Sequence, residues 1–137
     1  MRKKHIGKYL TLTRAEEEIM QLLWKNEHAF VNELLDMMPE PKPAYNTVST
    51  IVRILEQKEF VGYRRFGRTH QYYPLVSQSQ YLSNSLSRLS STYFQNSYAN
   101  LVNFFAEEGN LKQKDIKEIE ELLNTLKKVN NKKVRTK

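Results

Sequence analysis

The sequence predicts a mainly α-helical protein with one small β-hairpin, divided into a compact basic module over residues 1–76 and a helical segment over 77–130. Three observations support this. Apolar residues recur at helical spacing in three short stretches before residue 60, two aromatic and β-branched runs then flank a glycine turn, and a serine-rich helical pattern follows Pro74.

The first helix opens at Thr13, with Glu16 three residues on, the spacing at which hydroxyl and carboxylate satisfy each other's exposed amides. Ala15, Ile19, Leu22 and Leu23 give it a buried face, closed by Trp24. A short second helix is expected in "FVNELLDMM", with Phe30 or Val31, Leu34, Leu35 and Met38 on one side. Pro39, Pro41 and Pro43 end it, because proline lacks a backbone donor and restricts the residue before it.

The third helix is expected from about Ala44 to Lys58, with Val48, Ile51, Val52 and Leu55 as its core stripe. Asn46, Thr50, Arg53 and Gln57 fall opposite that stripe, with Ser49 at its border. The stretch "FVGYRRFGRTHQYYPL" then reads as a hairpin with Gly67 free to take a positive φ. Among its tyrosines, Tyr63, Tyr72 and Tyr73, period-2 alternation should bury at least one. Three helices followed by a hairpin is the order of a winged helix-turn-helix.

Residues 77–97 hold eight serines, yet Tyr81, Leu82, Leu86, Leu89, Tyr93, Phe94, Leu101, Phe104 and Phe105 keep helical spacing up to a break at Gly109 and Asn110. Serine is a mediocre helix former, so a helix here depends on packing against something else. A last helix, "KQKDIKEIEELLNTLKKV", carries Ile116, Ile119, Leu122, Leu123 and Leu126 on one stripe. The basic tail 131–137 is expected to be disordered. Two striped helices with short loops bury themselves poorly alone: they fold back on the first domain or pair with a second chain, and a symmetric homodimer, the commonest closed assembly, is the favoured reading.

The chain has 137 residues, 39% of them hydrophobic and 27% charged, a net charge of +7, a pI near 9.6 and a mean hydropathy of -0.68. It has no cysteine, which excludes disulfides and thiolate chemistry. No stretch approaches the roughly 20 apolar residues that cross a bilayer, and no signal peptide develops, so a cytoplasmic protein without membrane insertion is expected. The positive charge is local: over residues 41–76, Lys42, Arg53, Lys58, Arg64, Arg65 and Arg68 face only Glu56 and Glu59. Clustered cations gain from phosphate contact and counterion release. The weakly charged face of the third helix suits a major groove, where asparagine, arginine, serine and threonine match base edges and phosphates. Each feature alone also fits a solvated surface; their combination favours duplex DNA.

An enzyme would need a constellation of groups, and none is visible. His5, His28 and His70 are scattered without metal-ligand spacing, and Glu16 to Glu18 and Glu120 and Glu121 are explained as helix residues, so neither catalytic nor metal residues nor a cofactor is expected. The rival reading is a winged-helix protein-interaction module without sequence-specific DNA binding. A third, a basic tail from Lys127 to Lys137 on an anionic membrane, is more simply a solvated tail.

The motifs "LTRAEEEIMQLLW", "YNTVSTIVRILEQK" and "GRTHQYYP" together resemble the penicillinase repressor family (BlaI/MecI/CopY type), closely over residues 12–76 and loosely beyond. The resemblance implies a transcriptional repressor that binds an inverted-repeat operator as a homodimer through C-terminal helices. It assigns base and phosphate contacts to Tyr45, Asn46, Thr47, Ser49, Thr50 and Arg53, and the wing's role to Arg64, Arg65 and Arg68. Dimerisation falls to Tyr81, Leu82, Leu86, Leu89, Leu101, Phe104, Phe105, Ile119, Leu122, Leu123 and Leu126. In the beta-lactam branch a membrane metalloprotease sensor leads to cleavage at an Asn-Phe bond, and Asn103–Phe104 occupies the corresponding region. Two departures stand out. Glu59 replaces the glycine common after the recognition helix, so that helix is expected to end differently. The C-terminal cysteines of the copper-responsive branch are absent, which excludes that route to copper sensing.

Overall fold

The computed structural model describes the backbone of residues 11–136 and the side chains of residues 11–131. Three helices come first: α1 (Arg14–Asn26), α2 (Val31–Met37) and α3 (Tyr45–Gln57). A hairpin follows, β1 (Val61–Phe66) antiparallel to β2 (Thr69–Pro74), and then α4 (Gln78–Tyr93), α5 (Tyr98–Glu107) and α6 (Gln113–Thr136). The boundary between two compact units falls inside α4, after Arg88.

The expected capping box starts α1. Thr13 Oγ1 accepts from Glu16 N at 3.2 Å, and Glu16 Oε1 accepts from Thr13 N at 2.9 Å. The same carboxylate oxygen accepts from Lys58 Nζ at 2.7 Å, which ties the start of α1 to the end of α3. Glu16 is therefore buried, whereas Ala15, expected on the inner face, is exposed. The helix is rotated so that Ile19, Met20 and Leu23 are wholly enclosed. Burial pushes the Glu16 pKa up, but the Lys58 hydrogen bond and charge with the Thr13 amide outweigh it, so the pKa lies below the ordinary value.

Val31 and Leu34 of α2 join this core, while Leu35 and Met38 pack at its margin. At the other end of α2, Glu33 Oε1 accepts from Phe30 N at 2.9 Å. Of the α3 stripe, Val48, Val52 and Leu55 are fully buried and Ile51 partly so. Phe60, Val61, Tyr72 and Val76 complete the core from the hairpin and its flanks. An isolated bridge adds a third short edge to the hairpin: Ala29 N donates to Tyr72 O at 2.9 Å and Tyr72 N to Ala29 O at 2.8 Å.

The helix α3 ends as a glycine-capped helix would, contrary to expectation. Glu59 itself takes φ 65°, Phe60 N donates to Leu55 O at 2.9 Å, and Glu59 N donates to Glu56 O at 3.0 Å. This is the double hydrogen bond of a Schellman cap. The chain must turn sharply so that Phe60 and Val61 reach the core, and the left-handed residue is imposed by that turn. The same cap recurs after α5, where Gly109 takes φ 75° and Asn110 N donates to Phe105 O at 3.2 Å.

Three further expectations are corrected. Tyr81, assigned to dimerisation, belongs to the first unit's core: its hydroxyl accepts from Leu12 N at 3.2 Å, and its ring lies 5.9 Å from Trp24 and 5.7 Å from Phe60. The segment 77–108 forms two helices, because Gln95 and Asn96 adopt φ 53° and 62° and Ser97 caps a new helix, its Oγ accepting from Asn100 N at 3.1 Å. The tail expected to be disordered continues α6 to Thr136, since no glycine or proline follows Gly109 and lysines near a C-terminus suit the helix dipole. Among the described residues no helix is long and apolar enough to cross a membrane.

Two outcomes follow for stability. Glu59→Gly removes the left-handed strain and should raise unfolding stability by about 1 kcal/mol, measured by chemical denaturation. Glu16, whose folded pKa is depressed, contributes fully above its unfolded pKa and loses that contribution as pH falls through the folded value. Glu16→Gln should flatten that acid limb of the stability–pH curve.

Candidate nucleic-acid interface

With one side of α3 enclosed, its other side is displayed to solvent. Tyr45, Asn46, Thr47, Thr50 and Arg53 are exposed and Ser49 is half-buried at the border, as the helical wheel predicts. The helix is held internally: Thr50 Oγ1 donates to Asn46 O at 2.8 Å, and Arg53 Nη2 reaches Ser49 Oγ at 3.4 Å. The Thr50 hydroxyl proton is thus engaged, leaving its oxygen as an acceptor. No glutamate or lysine projects between these residues on the outer face.

The hairpin turns in two residues, Gly67 and Arg68, with Phe66 paired to Thr69. Gly67 takes φ 62° at the first turn position, where a type II′ turn favours glycine. On one side of the hairpin the Tyr63 ring stacks on His70 at 4.1 Å and 10° between planes, while Tyr72 is buried beside them. Burial raises the Tyr72 pKa, Glu56 adds to the rise and Arg53 opposes it. Tyr73 lies on the opposite side, over Gly62, where a Cβ would come within 2.9 Å of its ring. The Arg64 guanidinium sits 5.2 Å from the Tyr73 ring centre.

Between α3 and the hairpin runs a cleft of ≈ 240 Å³ lined by Tyr45, Ser49 and Arg53 from the helix and Arg68, Thr69, His70 and Tyr72 from the wing. Phe30, Val31 and Asn32, at the start of α2, close its floor. No acidic side chain lines it. Of the sequence-predicted residues, the structure brings together Tyr45, Ser49, Arg53 and Arg68. Asn46, Thr47 and Thr50 lie on the helix outside the cleft, and Arg64 and Arg65 lie along the exposed strand β1.

Sequence reasoning counts His70 and Tyr72 with the wing arginines as a set able to grip phosphates, but it missed Asn32 and Thr69 as lining residues. The alternation of β2 does place residues 70 and 72 on one side, but nothing in the sequence brings α2's start to the wing. It also overcounted the free cations. Lys42 Nζ donates to the carbonyls of Leu35, Asp36 and Met38 at 2.9, 3.2 and 2.6 Å, capping α2, and Lys58 is paired with Glu16. The charge available to a polyanion on residues 41–76 is therefore arginine: Arg53, Arg64, Arg65 and Arg68.

The other assigned residues lie on both sides of the unit boundary, Leu82 and Leu86 in the first unit and the rest in the second. Leu82, Leu86 and Leu89 of α4, Phe104 and Phe105 of α5, and Leu122, Leu123 and Leu126 of α6 are all exposed, with Leu101 and Ile119 half-buried. Of the helix α5 no residue is buried. Asn103 and Phe104 lie inside α5, where Asn103 Nδ2 reaches Glu107 Oε2 at 3.4 Å and the Phe104 ring packs edge-on against Phe94 at 5.7 Å. Among the described residues there is no group of three or more acidic or histidine side chains placed to hold a metal ion.

Residues 12–125 match the profile of the penicillinase repressor family. The chain belongs to that family. The methicillin resistance regulatory protein MecI of Staphylococcus aureus (strain N315) is 25% identical over 119 residues, which cover 86% of this chain and 97% of that protein. The penicillinase repressor of Bacillus licheniformis is 24% identical over 113 residues, covering 82% and 88% of the two chains. Among solved structures, the DNA-binding domain of the repressor BlaI aligns with 52% of this chain and 88% of that one, at 25% identity and a TM-score of 0.46.

Proposed function

We propose that this protein is a cytoplasmic transcriptional repressor that binds an inverted-repeat operator in duplex DNA as a homodimer. The observation that carries the reading is the juxtaposition of an outer helix face free of lysine and glutamate with an acid-free cleft bearing Arg53 and Arg68. A major groove admits one helix, and the backbone between two grooves is a row of phosphates. With α3 in the major groove and the hairpin over the neighbouring minor groove, the intervening strand meets the arginines. The names of the family relatives support the repressor role.

The exposed leucines and phenylalanines of the second unit support dimerisation, because apolar surface of that extent needs a partner in water. A dimer presents two recognition helices, so half-sites should be spaced near one helical turn or a multiple of it, roughly 10 base pairs each. Release of repression through a membrane metalloprotease sensor, with cleavage at Asn103–Phe104, extends this reading. It rests on the family resemblance and on the half-exposed Phe104 side chain.

The assignments separate in a gel shift. Arg53→Ala should weaken operator binding by about 1–3 kcal/mol while sparing nonspecific DNA, whereas Arg68→Ala should weaken all sequences alike and reduce the salt slope by about one. Unchanged operator affinity for Arg53→Ala would place the reading face elsewhere, and affinity without salt dependence would favour a protein partner instead. For the dimer, light scattering at micromolar concentration should give twice the chain mass. Leu122→Asp with Leu126→Asp should halve it and weaken binding to a full operator much more than to one half-site.

A further inference from the structure

His70 stands half-buried in the cleft between α3 and the wing. Its ring lies flat against Tyr63, 4.1 Å between centres and 10° between planes, and meets Tyr72 edge-on at 6.1 Å and 66°. Tyr72 is in turn held by its paired backbone bonds to Ala29. Neither nitrogen of the His70 ring has a hydrogen bond or ion pair among the described residues. A ring clamped in this way keeps its nitrogens available to whatever enters the cleft.

The titratable and charged groups facing the ring are Tyr45 and Arg53 of α3, Tyr63 and Arg65 of β1, Arg68 of the turn and Tyr72 of β2. Arg65 is the cross-strand partner of His70, which puts the two side chains on the same side of the hairpin. From α2 the cleft receives Phe30, Val31 and Asn32, none of them charged. Glu33 and Glu56 line other clefts, and one Glu33 oxygen accepts from Phe30 N. No carboxylate lines this one, so the first negative charge the ring meets is that of an arriving phosphate. A phosphate favours the doubly protonated imidazole, because the opposite charge stabilises that form and both nitrogens then donate.

We propose that one backbone phosphate of bound DNA lies in this cleft between Arg68 and His70, and that His70 takes up a proton to hold it, donating a charge-assisted hydrogen bond from its ring. The proton comes from solvent and returns to it on release. Histidine is the side chain whose charge changes between about pH 5 and 8, so DNA affinity depends on pH in that range. The sign follows from linkage. The complex favours the protonated ring, so binding is strongest at the acid end and weakens as pH rises through the titration of the complex. The proposal rests on the DNA-binding reading and adds to it a phosphate contact that, unlike an arginine's, switches with pH.

The test measures binding of the full-length chain to a mixed-sequence duplex several helical turns long, at several salt concentrations, from about pH 6 to about pH 8. Affinity should be about tenfold higher at the acid end, the size expected when one opposite charge stabilises one protonated ring. The slope of log affinity against log salt should be steeper there by about one. His70→Gln, shown by its melt to be folded, should bind alike across the range and match the unmodified protein only at the alkaline end. By NMR of the ring nitrogens, His70 should titrate at higher pH in the complex than in the free protein. Affinity that does not change with pH, a pH dependence that survives in His70→Gln, or a ring that titrates alike in free and bound protein overturns the proposal and leaves the DNA-binding reading in place. No binding to the duplex at low salt at any pH in the range overturns the DNA-binding reading and the proposal with it.

Discussion

Everything on the candidate DNA-binding side depends on the burial of one apolar stripe. Val48, Val52 and Leu55 are fully enclosed against α1, α2 and the hairpin base, which holds α3 at a fixed rotation. At 100° per residue that rotation also decides the other face, so Asn46, Thr50 and Arg53 point outward because the valines point inward. Burying three side chains of this size is worth several kcal/mol, far more than any single polar contact on the outer face. The exposed polar residues can therefore be chosen for recognition without the helix losing its place.

Polar ties then set the ends of the elements. Glu16 Oε1 serves the Thr13 amide and Lys58 at once, locking α1's first turn to α3's last. Lys42 caps the carbonyl end of α2. Both lysines look, in the sequence, like candidates for phosphate. The fold uses them internally and leaves the arginines outside, which suits a guanidinium's planar donors to phosphate oxygens.

The two units obey different logic. The first encloses Phe60, Tyr72 and Tyr81: Trp24 Nε1 donates to Val76 O at 2.8 Å, and Tyr81 packs with Leu12, Trp24 and Phe60. The second leaves its leucines and phenylalanines in the open, and no residue of α5 is buried. The proposed homodimer would cover such a surface.

The sequence by itself determined the order of the first three helices and the hairpin, the α3 stripe with its outer face, the Thr13–Glu16 capping box and the Gly67 turn. All of these are local: they rest on side-chain period or on groups at most four residues apart. It determined membership of the family for the same reason, since the matching motifs are local strings. Only the tertiary structure decided what depends on distant partners. It placed Tyr81 in the first core across 69 residues from Leu12, moved Lys42 and Lys58 out of the cation count, and brought Asn32 to Thr69 and His70. It also decided that Glu59 takes a glycine's conformation, in the turn that joins the enclosed Leu55 to the enclosed Phe60.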